Sequence, residues 1–282
     1  MSTHPVLVTG ATGTVGRHVV DGLLAAGQPV RALTRRPGAA DLPAEVDVRE
    51  GDLDKPATVL DALAGVQLLY LFPAPELTGT LAAARAAGVE HVVLLSSLSV
   101  EYAEPDGSSR AHLACEAAVL AAGMSHTFLR PGAFMGNDLI WVPEIQSFGT
   151  VSAAYPEAAH APVDERDIAS VAVAALCHPG RFAGVVPLTG PESLTQRRRV
   201  ELIAGVTGQQ IGFVELTPEQ ARTRLGAYLP AAVVELLLGV LAGAPAEVST
   251  AAAGPDVIGR SAYRYVDWVD QHRARFARAT PR

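Results

Sequence analysis

The sequence predicts an α/β chain: a doubly wound parallel sheet with a small, mostly helical C-terminal substrate lobe. Three features predict it. A short apolar run, Pro5 to Thr9, leads into glycines at 10, 13 and 16 and then into Val15, Val19, Leu23 and Ala26 at helical spacing. Short apolar runs and helical periods alternate without interruption to about Val100, as in strands buried on both faces and joined by helices. Beyond Val100 longer helical and aperiodic stretches take over.

The opening strand, turn and helix form an arrangement suited to a dinucleotide. Glycines let backbone approach a pyrophosphate and helix approach strand, and the helix N-terminus offers N–H groups to the phosphates. The spacing is G-x-x-G-x-x-G, over Gly10, Gly13 and Gly16. Such a turn alone also suits a tight strand-to-helix connection with no ligand.

Pro29 to Thr34 is the second strand, and Arg35 and Arg36 follow at once. An acid at this point binds the 2′-hydroxyl of NAD, whereas a guanidinium pairs a 2′-phosphate with two parallel hydrogen bonds. Arg35 and Arg36 therefore favour NADP(H) over NAD(H); otherwise they are solvated loop residues. Val46 to Glu50 is the third strand, ending in Gly51-Asp52-Leu53, with Asp52 placed to cap a helix near Pro56 to Ala64. Gln67 to Phe72 is the fourth, stopping at Pro73, where the switch point of the sheet should lie under the cofactor. After a helix from about Leu77 to Ala87, His91 to Ser97 is an apolar fifth strand. Ser96 and Ser97 at its end suit cofactor or oxyanion donors better than nucleophiles, because no base stands near them in the sequence.

Further on, Glu104 to Ser109 reads as a loop, Arg110 to Ala122 as a helix and Ser125 to Arg130 as a sixth strand. Asp138 to Ala161 lacks a period; Trp141, Phe148 and Tyr155 there are candidates for lining a pocket. Asp164 opens a helix to about Leu176, with Asp164 and Asp167 as structural acids of its first turn. Val185 to Thr195 is a strand leading to a helix start, and Gln196 to Val206 and Pro218 to Leu225 read as helices. Arg197 to Arg199 is read as a solvated charge run. Pro230 to Leu241 is apolar almost all round, so the lobe or a partner subunit should bury it. A helix from about Tyr263 to Arg278 closes the chain. The dinucleotide-binding core is placed at 1–134, with 162–190 returning to it; 135–161 and 191–282 form the lobe and the terminal helix.

Bulk properties narrow the function classes. With 282 residues, 49% of them hydrophobic, the chain has ample material for a buried core. A net charge of −7 argues against direct nucleic acid contact. Cys115 and Cys177 match no metal or redox spacing, and no metal site is expected. No leader precedes the first strand, and Val233 to Ala244 contains Glu235 and is too short to cross a bilayer, so a cytoplasmic protein without membrane contact is expected. It is expected to be a monomer or homodimer.

With these motifs in place, the chain resembles the NmrA-like group of atypical short-chain dehydrogenases/reductases, which are Rossmann-type proteins. The pattern is nearest to their triphenylmethane reductases and NADPH:quinone oxidoreductases. The resemblance rests on the glycine stretch Val8 to Gly16, Ala32-Leu-Thr-Arg35-Arg36-Pro37, Gly51-Asp52-Leu53, Leu94-Leu-Ser96-Ser97, His112-Leu-Ala-Cys-Glu116 and Leu129-Arg-Pro131-Gly-Ala-Phe-Met135. Thr189-Gly190-Pro-Glu-Ser-Leu-Thr195 is a weaker match. It implies a cofactor shell of Gly10, Thr12, Thr14, Val15, Arg35, Asp52, Leu53, Phe72, Ser96 and Pro131, with Asp52 accepting from the adenine amino group. Gly13, Arg36, Pro73 and Ser97 join that shell from the reading above. It also implies a substrate pocket between core and lobe touching Phe134, Asn137 and Trp141.

Ordinary members of the superfamily use Tyr-x-x-x-Lys, and this chain has no such pair. Lys55 is its only lysine; aligned on Glu116, the lysine position is His112 and the tyrosine position Ser108. Hydride transfer survives the loss, because a nicotinamide carries that chemistry itself. His112 and Glu116 are four apart and share a helix face, with Leu113, Ala117 and Leu120 as an apolar stripe expected to pack on the sheet. Either His112 borders the nicotinamide or the substrate, as a proton donor oriented by Glu116, or the two are a surface ion pair. Acceptors that spread charge themselves, such as quinones, dyes and conjugated carbonyls, need little acid help. Two functions follow: an NADPH-dependent oxidoreductase working without flavin on such an acceptor, or an NADP(H)-binding regulatory, redox-sensing protein without turnover.

Overall fold

The computed structural model describes residues 4–101, 107–251, 253 and 255–277. In chain order come β1 (Val6–Thr9), α1 (Thr14–Ala25), β2 (Val30–Thr34), β3 (Asp47–Glu50), α2 (Leu60–Leu63), β4 (Leu68–Leu71), α3 (Thr78–Ala86), β5 (His91–Leu95), α4 (Gly107–Ala122) and β6 (Ser125–Pro131). Next are α5 (Val142–Phe148), β7 (Thr150–Ala153), β8 (Ala159–His160), α6 (Glu165–Cys177), β9 (Gly184–Leu188) and β10 (Leu194–Thr195). The rest is α7 (Gln196–Thr207), β11 (Gly212–Glu215), α8 (Pro218–Gly226), α9 (Ala231–Gly243), α10 (Pro255–Ile258), α11 (Tyr265–Gln271) and α12 (Arg273–Phe276). The chain forms two compact units: Met1–Gly132 with Glu165–Leu188 and Ala253–Ser261, and Ala133–Asp164 with Thr189–Ala252 and Ala262–Arg282.

The first unit holds a seven-stranded sheet in the order β3-β2-β1-β4-β5-β6-β9. Every neighbouring pair is parallel. β1 is the pivot: Val6 pairs Val30 on one side and Leu68 on the other, so the winding reverses there. All of β1 and β5 is buried, which is why these strands read as continuous apolar runs. Val15, Val19 and Leu23 bury one face of α1, each by about 1.5–3 kcal/mol of apolar transfer. On the other side of the sheet, Leu69, Leu71, Leu81, Val92, Val119 and Phe128 share one apolar cluster.

The second unit packs Met135, Trp141, Ile145, Ile203, Tyr265 and Trp268 into a core of its own. It contains two short sheets, β7 with β11 and β8 with β10. At Gly190 two backbones nearly touch: a Cβ there would stand 1.8 Å from the Pro162 oxygen, so the Thr-Gly-Pro sequence marks a crossing that no side chain fits.

Several expectations change. The helix expected near Pro56 to Ala64 splits into a 3-10 turn, Pro56–Thr58, and α2. The Thr58 hydroxyl donates to the Asp52 and Lys55 carbonyls and tightens the chain there. The residue before that turn is Lys55, so Asp52 caps no helix; its Oδ1 accepts from the Asp54 N–H instead. Of the loop expected at Glu104 to Ser109, 104–106 lie outside the described residues, and Gly107 already opens α4. The closing helix breaks at His272 into α11 and α12, and Arg278 lies outside the described residues. The aperiodic stretch after Asp138 consists of a 3-10 helix, a seven-residue helix ended by left-handed Gly149, and two short strands. None of these pieces is long enough to show a period.

One further expectation fails because a partnered charge goes inside. Arg199, placed in a solvated run, is 5% exposed and paired with Asp138. α9 buries Val234 and Leu238 yet leaves Val233 and Leu237 each 37% exposed. Among the described residues, no helix is long and apolar enough to cross a membrane, and no group of three or more His, Cys, Asp or Glu is placed to hold a metal.

Candidate functional site

The first unit gathers its candidate residues at the C-terminal ends of the parallel strands, around the pivot strand β1. The Thr9 hydroxyl donates to the Tyr70 carbonyl and accepts from the Phe72 N–H at 2.7 Å, tying the end of β1 to the end of β4. Gly10 then turns with φ +63°, a left-handed conformation that glycine adopts without strain. A Cβ on Gly10 would lie 2.9 Å from Phe72, and one on Gly16 only 2.1 Å from the Gly10 oxygen. The Gly13 N–H closes the turn onto the Gly10 oxygen at 2.9 Å.

α1 begins at Thr14 with Gly13 as its cap, no side-chain capping bond and no acid in its first turn. Its N-terminal N–H groups and positive dipole end are therefore left for an anion. Thr12 and Thr14 are exposed beside it, and Val15 is buried. This cradle, which a single methyl group would fill, fits the pyrophosphate of a dinucleotide.

Arg35 and Arg36 stand exposed just past β2, and neither has an ion-pair partner among the described residues. Past β3, Asp52 sits in a turn 4.0 Å from Lys55, and Leu53 packs on the apolar cluster. Phe72 is 46% exposed beyond β4, beside the half-buried Pro73. Ser97 accepts from the Ser99 N–H, and Pro131 is buried at the end of β6.

Between β5 and β6 lies a buried ionic cluster. Glu116, 5% exposed, accepts from the Ser96 hydroxyl at 2.5 Å and from Arg130 through Nε at 3.0 Å and Nη2 at 2.7 Å. Arg130 Nη1 also reaches Glu101 at 2.9 Å. The cluster joins the ends of two strands, the turn after β5 and helix α4, and the pair holds the guanidinium still more firmly protonated. Glu116 is thus no surface residue, and both its oxygens serve Ser96 and Arg130.

The face of α4 that packs inward also differs from the expected one. Ser109, Cys115, Glu116 and Val119 are buried, with His112 half-buried beside them. Leu113 and Leu120 are 37% and 55% exposed. The polar residues have partners inside, so the apolar stripe is turned outward. Ser108, at the position of the usual tyrosine, is exposed. Arg130 is the participant that sequence reasoning missed; an arginine ending the run Phe128-Leu129-Arg130 is its only mark.

In the second unit Phe134 is half-buried and Asn137 exposed, whereas Trp141 is 8% exposed. The Arg199 guanidinium covers the Trp141 ring at 5.0 Å. Asp138 accepts from Arg199 and from the Tyr265 hydroxyl, each at 2.5 Å. Burial pushes its carboxyl above the ordinary range, against the pull of both partners. Nearby, burial and the Arg199 charge hold the His160 imidazole down at about 4.

A family model described as NAD(P)H-binding matches residues 10–179. The chain is 39% identical to a (4-alkanoyl-5-oxo-2,5-dihydrofuran-3-yl)methyl phosphate reductase of Streptomyces griseus, covering 96% of this chain and 99% of the relative. It is 31% identical to an NAD(P)H azoreductase of Xenophilus azovorans, covering 97% and 100%. The crystal structure of an NADPH-dependent quinone oxidoreductase from Escherichia coli superposes with a TM-score of 0.83 at 25% identity, covering 95% of this chain and 99% of that one.

Proposed function

We infer the function from one premise: the chain belongs to the NAD(P)H-binding family, in its NmrA-like atypical short-chain dehydrogenase/reductase branch, and is an oxidoreductase of that type. Its cofactor is taken to be NADPH, and its acceptor a conjugated, quinone-like or dye-like molecule reduced without flavin. The observation that carries this is the uncapped glycine turn at the pivot of the sheet, with two arginines beyond the next strand that have no ion-pair partner among the described residues.

Gly10, Thr12, Gly13, Thr14 and Val15 would hold the pyrophosphate, Arg35 and Arg36 the 2′-phosphate, and Asp52 and Leu53 the adenine. Phe72, Pro73, Ser96, Ser97 and Pro131 would border the rest. The bound nicotinamide supplies the hydride. The Ser96 hydroxyl donates its one hydrogen bond to Glu116, so toward a ligand its oxygen can only accept.

The acceptor follows from what the site lacks. Without a tyrosine–lysine pair, a strongly basic alkoxide has no dedicated proton donor. The relatives are named for a 4-alkanoyl-5-oxo-dihydrofuran, an azo compound and a quinone. Hydride addition to each leaves charge spread over neighbouring heteroatoms, which a proton from the half-buried His112 or from solvent would quench. Phe134, Asn137 and Trp141 are the residues proposed for the acceptor in the second unit.

The test is oxidation of NADPH, followed by its absorbance, with quinones, enones and azo dyes. Turnover is expected with at least one class and not with simple ketones; no turnover with any class would overturn the acceptor assignment. A doubled Arg35→Ala, Arg36→Ala variant should weaken NADPH and spare NADH. His112→Ala should lower turnover while leaving NADPH affinity intact.

A further inference from the structure

Ala253–Ser261 belongs to the first unit, although the chain before and after it belongs to the second. This excursion lays α10 against α6, and Arg260 anchors it at 2.6 Å on the buried carboxylate of Asp167. Together α1, α6 and α10 enclose a cleft of about 370 Å³, all of it within the first unit. Small-molecule sites run to roughly 300–1,000 Å³, so the cleft is large enough for one. α1 and α6 touch along it, where a Cβ on Gly22 would stand 2.9 Å from Val173. Half-buried Val257 and Ile258 of α10 give it an apolar wall. It follows α1 from His18 to Ala26, away from the glycine turn.

The opposite side of the cleft is basic. His18 on α1 and His178 and Arg181 just past α6 line it, and no Asp or Glu stands among the described residues that do. In a chain of net charge −7 that is not the average surface. Arg181 lies 5.2 Å over the Phe182 ring, which holds the cation in place. Basic residues after a helix C-terminus also complement its dipole, but that role requires neither His18 on the other helix nor an apolar wall.

We propose that this cleft is a second ligand site, for a small carboxylate with an apolar body. The body lies against Val173, Val257 and Ile258, and the carboxylate takes N–H donors from Arg181 and His178. An apolar molecule alone would leave the cation unused, and an inorganic anion alone would leave the apolar wall wet. The proposal is independent of how cofactor and acceptor bind.

Cys177 also lines the cleft and is half-buried, whereas Cys115 is buried, so alkylation tells the two apart. The intact protein is treated with N-ethylmaleimide and labelling is followed by peptide mass spectrometry, with octanoate, octanol and acetate as probes. Octanoate should slow labelling of Cys177 about fivefold or more and leave Cys115 unchanged. Octanol and acetate at the same concentration should each slow it less than about twofold. Arg181→Gln, at an exposed position, should make octanoate no better than octanol. Ala174→Leu fills the cleft and should abolish protection; should that variant fail to fold, Arg181→Gln still decides. No slowing by octanoate, equal slowing by octanol, equal slowing at Cys115, or protection that survives either folded variant overturns the proposal.

Discussion

Replacing Glu116 by glutamine removes one buried negative charge and keeps the shape of the side chain. The Glu116 and Arg130 side chains are only 6% and 17% exposed, so water screens their pairing little. Breaking such a pair by removing one partner costs about 3–5 kcal/mol, because the remaining charge stays buried. Glutamine still accepts one hydrogen bond, and Arg130 keeps Glu101, which puts the expected loss near the lower figure. At ~2–4 °C per kcal/mol for a chain of this size, the thermal midpoint by circular dichroism should fall by about 8 °C. Adding Arg130→Met should cost much less than the two single losses summed, since the second change removes the stranded charge. The same variant separates clamp from acid. A positioning carboxylate lowers kcat across the whole pH profile without moving it, whereas a proton-transferring one deletes a limb. An unchanged midpoint, additive losses or a missing limb would refute the clamp.

Gly16→Ala would place a methyl group 2.1 Å from the Gly10 oxygen, a backbone atom that cannot swing aside. NADPH should bind about tenfold or more weakly by fluorescence titration, and wild-type affinity would rule out the turn as the pyrophosphate cradle. His160, held at about 4 against 6.5 for an ordinary histidine, stays neutral in the folded chain while the unfolded ring takes up a proton below about pH 6.5. It therefore removes stability as pH falls from about 6.5 to 4, by about 3 kcal/mol in full. Asp138, held high by burial, works in the opposite sense, so His160→Gln should flatten that part of the urea-midpoint curve; a curve of unchanged slope would refute the assignment. The Tyr70 hydroxyl is buried with no partner among the described residues, and burial pushes the phenol far up. Tyr70→Phe should thus stabilise the fold by about 1 kcal/mol, and a clear loss in the melt would mean the hydroxyl is satisfied.

The first unit was largely legible in the sequence because two-sided burial writes itself as apolar runs. The glycine turn adds a local steric signal, since Gly10 and Gly16 stand where a side chain would strike backbone or Phe72. What was not legible depends on partners distant in sequence. Glu116 pairs with Arg130 on the following strand, and spacing along α4 pointed to His112 instead. Arg199 sits in a run of three arginines and differs from its neighbours only in what lies opposite, Asp138 sixty-one residues earlier. The second unit also uses pieces of two to seven residues, too short for either period to accumulate.

The two ionic clusters share a logic that bears on the chemistry. Each fixes a segment that backbone hydrogen bonding alone would leave free to shift: the turn after β5, tied to the middle of α4, in one unit, the 3-10 segment in the other. A site without a strong acid has orientation as its main resource, and holding donor and acceptor in a productive geometry can supply several kcal/mol of the barrier. Buried charge pairs are a poor source of net stability, yet they discriminate sharply between one side-chain arrangement and its neighbours. In this family member they stand beside the residues proposed for cofactor and acceptor, where a fixed arrangement matters most. The sensitivity of turnover should therefore follow the positioning pairs more closely than it follows His112.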